Sequence, residues 1–243
     1  MYWEEGLSIN QIAKRLGVSY TTVWDWMAMY GIPRRNRREA TRLRCEKKLP
    51  DEITEDLAYI FGVYLGDGSV FRNEEMYSYG FQLQVKDYEF ACSVRDVLKR
   101  LGLNPKLYEY KLYRVFCYSK QLYERLTQTP IDEPLRWSPD LQGAFVRGLY
   151  ESEGCIYFNG YSWYVHVVCN TNTKLMDVVE SILCQHNFDV KRWVSHPKVR
   201  MENLRLRGGK GEVKRFLCWI RPCIKWPEEL RDDDCYETHP GRL

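Results

Sequence analysis

With 243 residues, 44% of them hydrophobic and 14% aromatic, the chain can bury one or two full cores, which excludes a disordered polyelectrolyte. Its longest apolar run, around residues 57–65, falls well short of the ~20 residues a membrane-spanning helix requires, and its first residues lack the basic and apolar regions of a secretory leader. An intracellular protein is expected, in the cytoplasm, nucleoid or an organelle matrix, not secreted and with no membrane partner. The formal charge of +3 is unevenly spread: residues 1–48 hold ten Lys or Arg against five acids, and the remainder 26 against 28. The nine cysteines include no CxxC pair, the nearest spacing being Cys218 to Cys223, so they read as buried thiols and not as zinc ligands.

Two short helices come first. Ser8 with Gln11 makes a capping box that opens a helix through Leu16, Gly17 supplies the turn, and Ser19 caps a second helix that ends near Gly31 and Pro33. Ile9, Ile12, Ala13 and Leu16 share one face of the first helix, while Val23, Trp24, Met27 and Met29 supply the second. The segment resembles a helix-turn-helix of the resolvase and repressor type. That resemblance implies that Tyr20, Thr21, Thr22 and Asp25 meet base edges or phosphates in a major groove. Residues 33–48 then carry eight basic and two acidic side chains. They read as a basic linker whose Arg34, Arg35, Arg37 and Arg38 lie along a nucleic-acid backbone or in a minor groove.

Two later segments, LAYIFGVYLGDGSV at 57–70 and LQGAFVRGLYESEGCI at 141–156, are variants of one pattern. Each is an apolar helical run with small residues four apart, Gly62 and Gly66 in the first, Gly148 and Ser152 in the second. Small residues on one helix face let two helices approach more closely than the usual ~8–10 Å between axes. Each run ends in an acid and a glycine, Asp67-Gly68 and Glu153-Gly154, and the glycine is expected to supply a left-handed helix end. A carboxylate in the last turn faces the negative helix end at a cost of roughly 0.3–1 kcal/mol, which a bound cation would offset. Packed side by side, the two helices would bring Asp67 and Glu153 together at one edge of their interface, a pair suited to hard, oxygen-preferring Mg²⁺.

The pattern resembles the motif of the LAGLIDADG homing endonucleases, whose nine letters fall on residues 60–68 and 146–154. The flanks repeat as well. Asp67 and Glu153 are 86 residues apart, and the amphipathic segment from Phe90 aligns with that from Leu175 at 85. Strand-like runs precede each, FQLQV at 81–85 and WYVHVV at 163–168, and others follow, LYRVFCY and VRMENLRLR. The expected fold class is α+β: a pseudo-two-fold duplicated core with two saddle-forming antiparallel sheets, plus a small all-α helix-turn-helix domain. Expected boundaries are a helix-turn-helix at 1–32, a basic linker at 33–50, a first half at 51–132, a second half at 133–228 and an acidic tail at 229–243. In FQLQVK, Phe81, Leu83 and Val85 alternate with Gln82, Gln84 and Lys86, which nominates the polar set for base or phosphate contacts. WYVHVV is apolar almost throughout and its register is ambiguous, so Arg205 and Arg207, alternating with Leu204 and Leu206, are the candidates in the second half.

The resemblance implies a monomeric endonuclease making metal-dependent double-strand breaks with short 3′ overhangs at a long, non-palindromic DNA site. It implies Asp67 and Glu153 as ligands of two or three Mg²⁺ or other divalent cations, with backbone carbonyls near Gly68 and Gly154 completing the shell. It also implies one catalytic lysine per half, for which the positional matches are Lys120 and Lys210, 90 residues apart. The pattern is not uniform: Leu65 stands where Glu151 keeps an acid in the second half, and Arg147 is a bulky cation at a position expected to be small. An intron-encoded or free-standing protein fits better than an intein, since no splicing blocks are evident. Two other readings use the same scaffold: a splicing maturase bound to its own intron RNA, and a non-catalytic DNA-binding transcription regulator.

Overall fold

In a computed structural model, residues 1–46 and 48–231 are described. Ser8 accepts the Gln11 backbone N–H at 3.3 Å and donates its own N–H to the Gln11 side chain at 2.8 Å, so α1 (Ile9–Leu16) begins where two otherwise unpaired donors are satisfied. Gly17, at φ +67°, turns the chain into α2 (Tyr20–Met29), whose cap Ser19 accepts the Thr22 N–H. Ile9, Ile12, Ala13, Val23 and Met27 form a small core of their own. Leu16, Trp24 and Met29 were expected in it and instead face solvent, because two short helices cover only a narrow stripe of each other. Residues 33–50, expected as a linker, hold a third helix, α3 (Arg37–Cys45), opened by a capping box between Asn36 and Glu39. Cys45 is fully buried, and α3 packs on the first sheet.

The remaining elements repeat in one order. The first set is α4 (Glu55–Leu65), β1 (Gly68–Asn73), β2 (Ser78–Val85), α5 (Tyr88–Arg100), β3 (Lys106–Glu109), β4 (Tyr113–Tyr118) and α6 (Lys120–Gln128). The second is α7 (Pro139–Glu153), β5 (Cys155–Phe158), β6 (Trp163–Asn170), α8 (Thr173–Gln185), β7 (Val190–His196), β8 (Met201–Leu206) and α9 (Lys210–Ile220). Each half builds a four-stranded antiparallel sheet, ordered β1-β2-β4-β3 and β5-β6-β8-β7. The fold is thus α+β and duplicated, with an N-terminal helical region. Phe81, Leu83 and Val85 are buried as their alternation requires. In β6 the register shifts between His166 and Val168, which buries Val165, Val167 and Val168 together and accounts for the run that sequence could not phase.

The halves join through α4 and α7. A Cβ at Gly62 would collide with the Phe145 carbonyl, and one at Gly148 with the Tyr59 carbonyl and, at 2.8 Å, the Val63 nitrogen, so backbone lies directly on backbone at the crossing. The motif glycines after the acids act differently from expectation. Gly154 is extended at φ −83°, Gly68 opens β1, and neither is left-handed. Their requirement is for space: a Cβ on Gly68 would meet the Phe81 ring at 2.7 Å, and one on Gly154 the Tyr150 ring.

Among the described residues no helix is long and apolar enough to cross a membrane. Cys45 and Cys117 are buried thiols as expected, but Cys155, Cys184 and Cys223 are exposed. Cys155 opens β5, Cys184 lies in the last turn of α8 and Cys223 lies in the loop after α9. The acidic tail beyond residue 231 lies outside the described residues.

Candidate active site

Asp67 and Glu153 reach one place by different routes. α4 ends at Leu65 and is capped by Gly66, so Asp67 lies just past the helix and not in its last turn, whereas Glu153 is the final residue of α7. Across the interface, a Cβ on Gly66 would stand 2.5 Å from Ser152 Cβ and 3.3 Å from Glu153 Cγ. Only glycine therefore lets the Glu153 stem lie against the end of the first half's helix. Asn170 on β6 donates to Glu153 Oε1 at 3.3 Å. Enclosure by protein raises the Asp67 carboxyl above the usual range, opposed by the Lys225 charge. Glu153 is pushed up to about 6, by burial first and then by the Asp67 charge, with Lys225 and Asn170 acting against the rise.

Lys225 is the cation that faces both acids. Its ammonium donates to the carbonyls of Tyr150, Glu151 and Ser152 at 3.2, 2.6 and 3.3 Å, binding the unpaired end of α7. The Tyr150 hydroxyl donates back to the Lys225 carbonyl at 2.9 Å. Lys225 sits at φ +58°, a region uncommon for a non-glycine residue, and these bonds hold it there. Sequence reading missed it because it follows α9, beyond the repeated elements; a lone lysine between Ile224 and Trp226, both buried, was the available signal.

Lys120 and Lys210 occupy matching places in the two halves. Each is the first residue of a helix, α6 and α9. Lys120 pairs with Glu124 at 3.6 Å and lies near the rings of Tyr77 and Tyr79, while Lys210 is exposed. Glu151 is turned away from the centre. It is buried, accepts the Tyr59 hydroxyl and the Cys223 backbone N–H at 2.5 and 2.6 Å, and so joins the two halves to the segment that carries Lys225. Arg147 stays at the interface by stacking its guanidinium 4.3 Å from the Tyr59 ring centre, and its Nε is buried without a hydrogen-bond partner.

Two facing carboxylates with raised pKa values form an oxygen donor set that a hard cation would relieve. Among the described residues no group of three or more His, Cys, Asp or Glu converges. Two carboxylates are a donor set of the kind that holds Mg²⁺, which is commonly bound by one or two carboxylates and keeps the rest of its shell for water and phosphate. Gly68 and Gly154 follow the two acids directly, at the start of β1 and at the cap of α7.

On the outward face of the first sheet, Gln82 accepts a bond from Arg114, Gln84 is exposed, and Lys86 lies exposed just past β2. In the second sheet Arg205 lies over the rings of Tyr164 and Trp193 with its Nε buried and unbonded, and Arg207 is exposed past β8. Both faces carry more aromatic surface than alternation alone revealed: Phe71 stacks on Phe116 at 4.5 Å, and Tyr157 on Tyr164 at 5.3 Å. In the helical region Tyr20, Thr21 and Asp25 are exposed, and Thr22 is half-buried and bonded to the cap Ser19. Arg34 stacks on Trp24, and Arg37 and Arg38 are exposed. Arg35 turns inward, donating to the carbonyls of Gly6 and Leu7 and stacking on Tyr2, so its charge is spent on holding the fold.

Comparison with known proteins matches residues 1–37 to a homeodomain-like domain, residues 54–129 to a LAGLIDADG-like domain and residues 142–204 to the WhiA LAGLIDADG-like domain. The uncharacterized protein MJ0398 of Methanocaldococcus jannaschii is 34% identical over 168 residues, 64% of this chain and 58% of its own length. The chain spans about three fifths of the length of the curated relatives it matches. The structure of the homing endonuclease I-DmoI in complex with DNA and Mn is similar at a TM-score of 0.53 and 18% identity, covering 68% of this chain and 96% of that one. Full-length DUF199/WhiA from Thermatoga maritima is similar at a TM-score of 0.55 and 12% identity, covering 81% and 64%. At these identities the structural likeness is one of fold.

Proposed function

We propose that this chain is a site-specific DNA endonuclease of the homing type, acting as a monomer on duplex DNA with Asp67 and Glu153 at its centre. The observation that carries the reading is the convergence of one acid from each half, at the end of a helix pair whose glycines allow backbone contact. Divalent cations, Mg²⁺ foremost and two or three in number, would supply the activation of water and the neutralisation of phosphate charge that hydrolysis needs. Asp67 and Glu153 would hold them, with carbonyls near Gly68 and Gly154. Lys225 sets its ammonium beside the acids, where burial lowers its pKa and the Asp67 charge acts against that fall, and it ties down the end of α7. Gln82, Gln84, Lys86, Arg205 and Arg207 would contact DNA across the two sheets, while Tyr20, Thr21, Thr22 and Asp25 meet a flanking groove. One acid per half matches one cut per strand, with short 3′ overhangs. A division at 1–32, 33–50, 51–132 and 133–228 would give a flanking binding module, a basic connection and two halves that both contact DNA and cut it.

The WhiA-type match over residues 142–204 favours a second reading, a DNA-binding protein on the same scaffold that does not cut. Incubation of the purified protein with genomic DNA of its source and Mg²⁺, followed by sequencing of the new ends, separates the two. Double-strand ends at one locus, lost or reduced to nicks in Asp67→Asn and Glu153→Gln, are the expected result. Tight DNA binding with no ends in either Mg²⁺ or Mn²⁺ would give the second reading precedence.

A further inference from the structure

The turn between β1 and β2 is the end of the first sheet farthest from the paired acids. Asp67 directly precedes β1, and at ~3.3 Å per residue the strand carries the chain roughly 17 Å away before it turns. α3 is fastened to that turn. The buried Cys45 thiol lies 3.4 and 3.6 Å from the carbonyls of Tyr77 and Tyr79, and the Tyr77 hydroxyl donates to Glu46 at 3.3 Å. Leu49 then donates its N–H to the Gln121 side chain on α6 at 2.6 Å. The matching turn of the second half stands open, with Tyr161 95% exposed.

The other end of the connection is held as firmly. Ile32 donates its N–H to the Met27 carbonyl at 2.8 Å, the Trp3 indole donates to the Pro33 carbonyl at 3.1 Å, and the Arg35 N–H donates to the Tyr2 hydroxyl at 3.2 Å. The Arg35 guanidinium donates to the carbonyls of Gly6 and Leu7, and Asn36 caps α3. A basic run that composition marks as a tether is therefore bonded back onto the helical region at its start and onto the first half at its end. The distinction matters for any ligand that both parts touch. A flexible tether lets a second module reach subsites over a range of distances, whereas a stiff connection contributes at one span and contributes nothing where geometry forbids joint engagement. Each base pair adds ~3.4 Å and about a tenth of a turn, so stiffness fixes both the distance and the face of the duplex.

We propose that residues 32–50 are a fixed spacer and that the protein takes a lopsided composite DNA site. A core block lies under the two sheets. One flanking block lies under α1 and α2, on the first half's side only, beyond about five base pairs from the centre and at a single spacing. The inference rests on the DNA-binding reading above and is independent of cleavage.

The test selects duplexes that bind the full chain in EDTA from a pool with about 40 randomised base pairs, some four helical turns. Two enriched blocks are expected, a core and a flank at one end of it. Insertions of about two, five or ten base pairs between the blocks should each weaken binding about 100-fold, to the level of a duplex whose flank is scrambled. The longest insertion restores the face of the helix but not the distance, so it should not rescue. Gln84→Ala should relax base preference in the half of the core next to the flank. Tolerance of the insertions, flanks at both ends, no flank, or a Gln84→Ala effect confined to the far half would overturn the inference and leave the DNA reading in place. Enrichment of no duplex at all would overturn both.

Discussion

In the first half the chain leaves α4 at Leu65, passes the cap Gly66 and reaches Asp67 only outside the helix; in the second, α7 runs through Glu151 and ends on Glu153. Around Glu153 the neighbours form a network: Asn170 on the carboxylate, Lys225 on the three preceding carbonyls, and Glu151 bonded to Tyr59 and Cys223. At the position matching Glu151 the first half has Leu65, which can make no such bonds. The duplication kept the order of elements and the place of one acid per half, while the polar framework that fixes the centre collected on one side. Equivalent positions in a repeat therefore need not do equivalent work.

The sharpest way to break this comparison is at the one place where the halves are equivalent, the helix crossing. Gly62→Ala and Gly148→Ala each drive a methyl group into backbone and should cost about 3 kcal/mol, read by urea unfolding. The double variant should cost much less than the sum, because helices already pushed apart by one methyl have room for the second. Full additivity would mean the two contacts are independent. Next, Glu151→Ala should cost about 2 kcal/mol by stranding the Tyr59 hydroxyl and the Cys223 N–H, against about 1 kcal/mol for Leu65→Ala at the matching position of the first half. Equal losses would erase the asymmetry.

A smaller effect isolates Lys225. Its charge opposes the rise of Glu153, so Lys225→Met should move the Glu153 titration upward from about 6, followed by carboxyl carbon NMR. An unmoved titration would show that the ammonium serves only the carbonyls. Smallest is the pH dependence of the metal-free protein. Glu153 titrates near 6 in the fold and near its ordinary value when unfolded, so the native state binds the extra proton between these limits and stability falls as pH rises through them. After solvent screening the loss is about 1 kcal/mol. Glu153→Gln should flatten that slope in chemical unfolding at about pH 4.5 and about pH 6.5.

Much of this architecture can be read from spacing. The two glycine-acid motifs, the caps Ser8 and Ser19 and the alternation of Phe81, Leu83 and Val85 are local patterns, and local patterns determine helices and strands directly. What resisted reading depends on contacts made far along the chain. Lys225 gains its role only because the loop after α9 folds back on α7, and nothing near residue 225 repeats to mark it. The apolar run of β6 could not be phased because its bulge changes the period partway through. Trp24 and Met29 looked like core, but the helical region has too little partner surface to bury them. Arg35 looked like a free cation and is tied to the carbonyls of Gly6 and Leu7, a bond its sequence neighbours do not foretell.

The contact of Gly62 with Gly148 has a consequence for how such a molecule can change over time. At the crossing itself, where backbone touches backbone, neither half presents a side chain for the other to match, so substitutions outside the side-chain contacts that flank it, such as Tyr59 with Glu151 and Arg147, need no answering substitution in the other half. The halves are free to drift apart in sequence while the distance between their acids stays set by the bare peptide chain. Leu65 opposite Glu151, and aspartate opposite glutamate, are the marks of that freedom: a joint made of what every protein shares has let the two copies become strangers without coming apart.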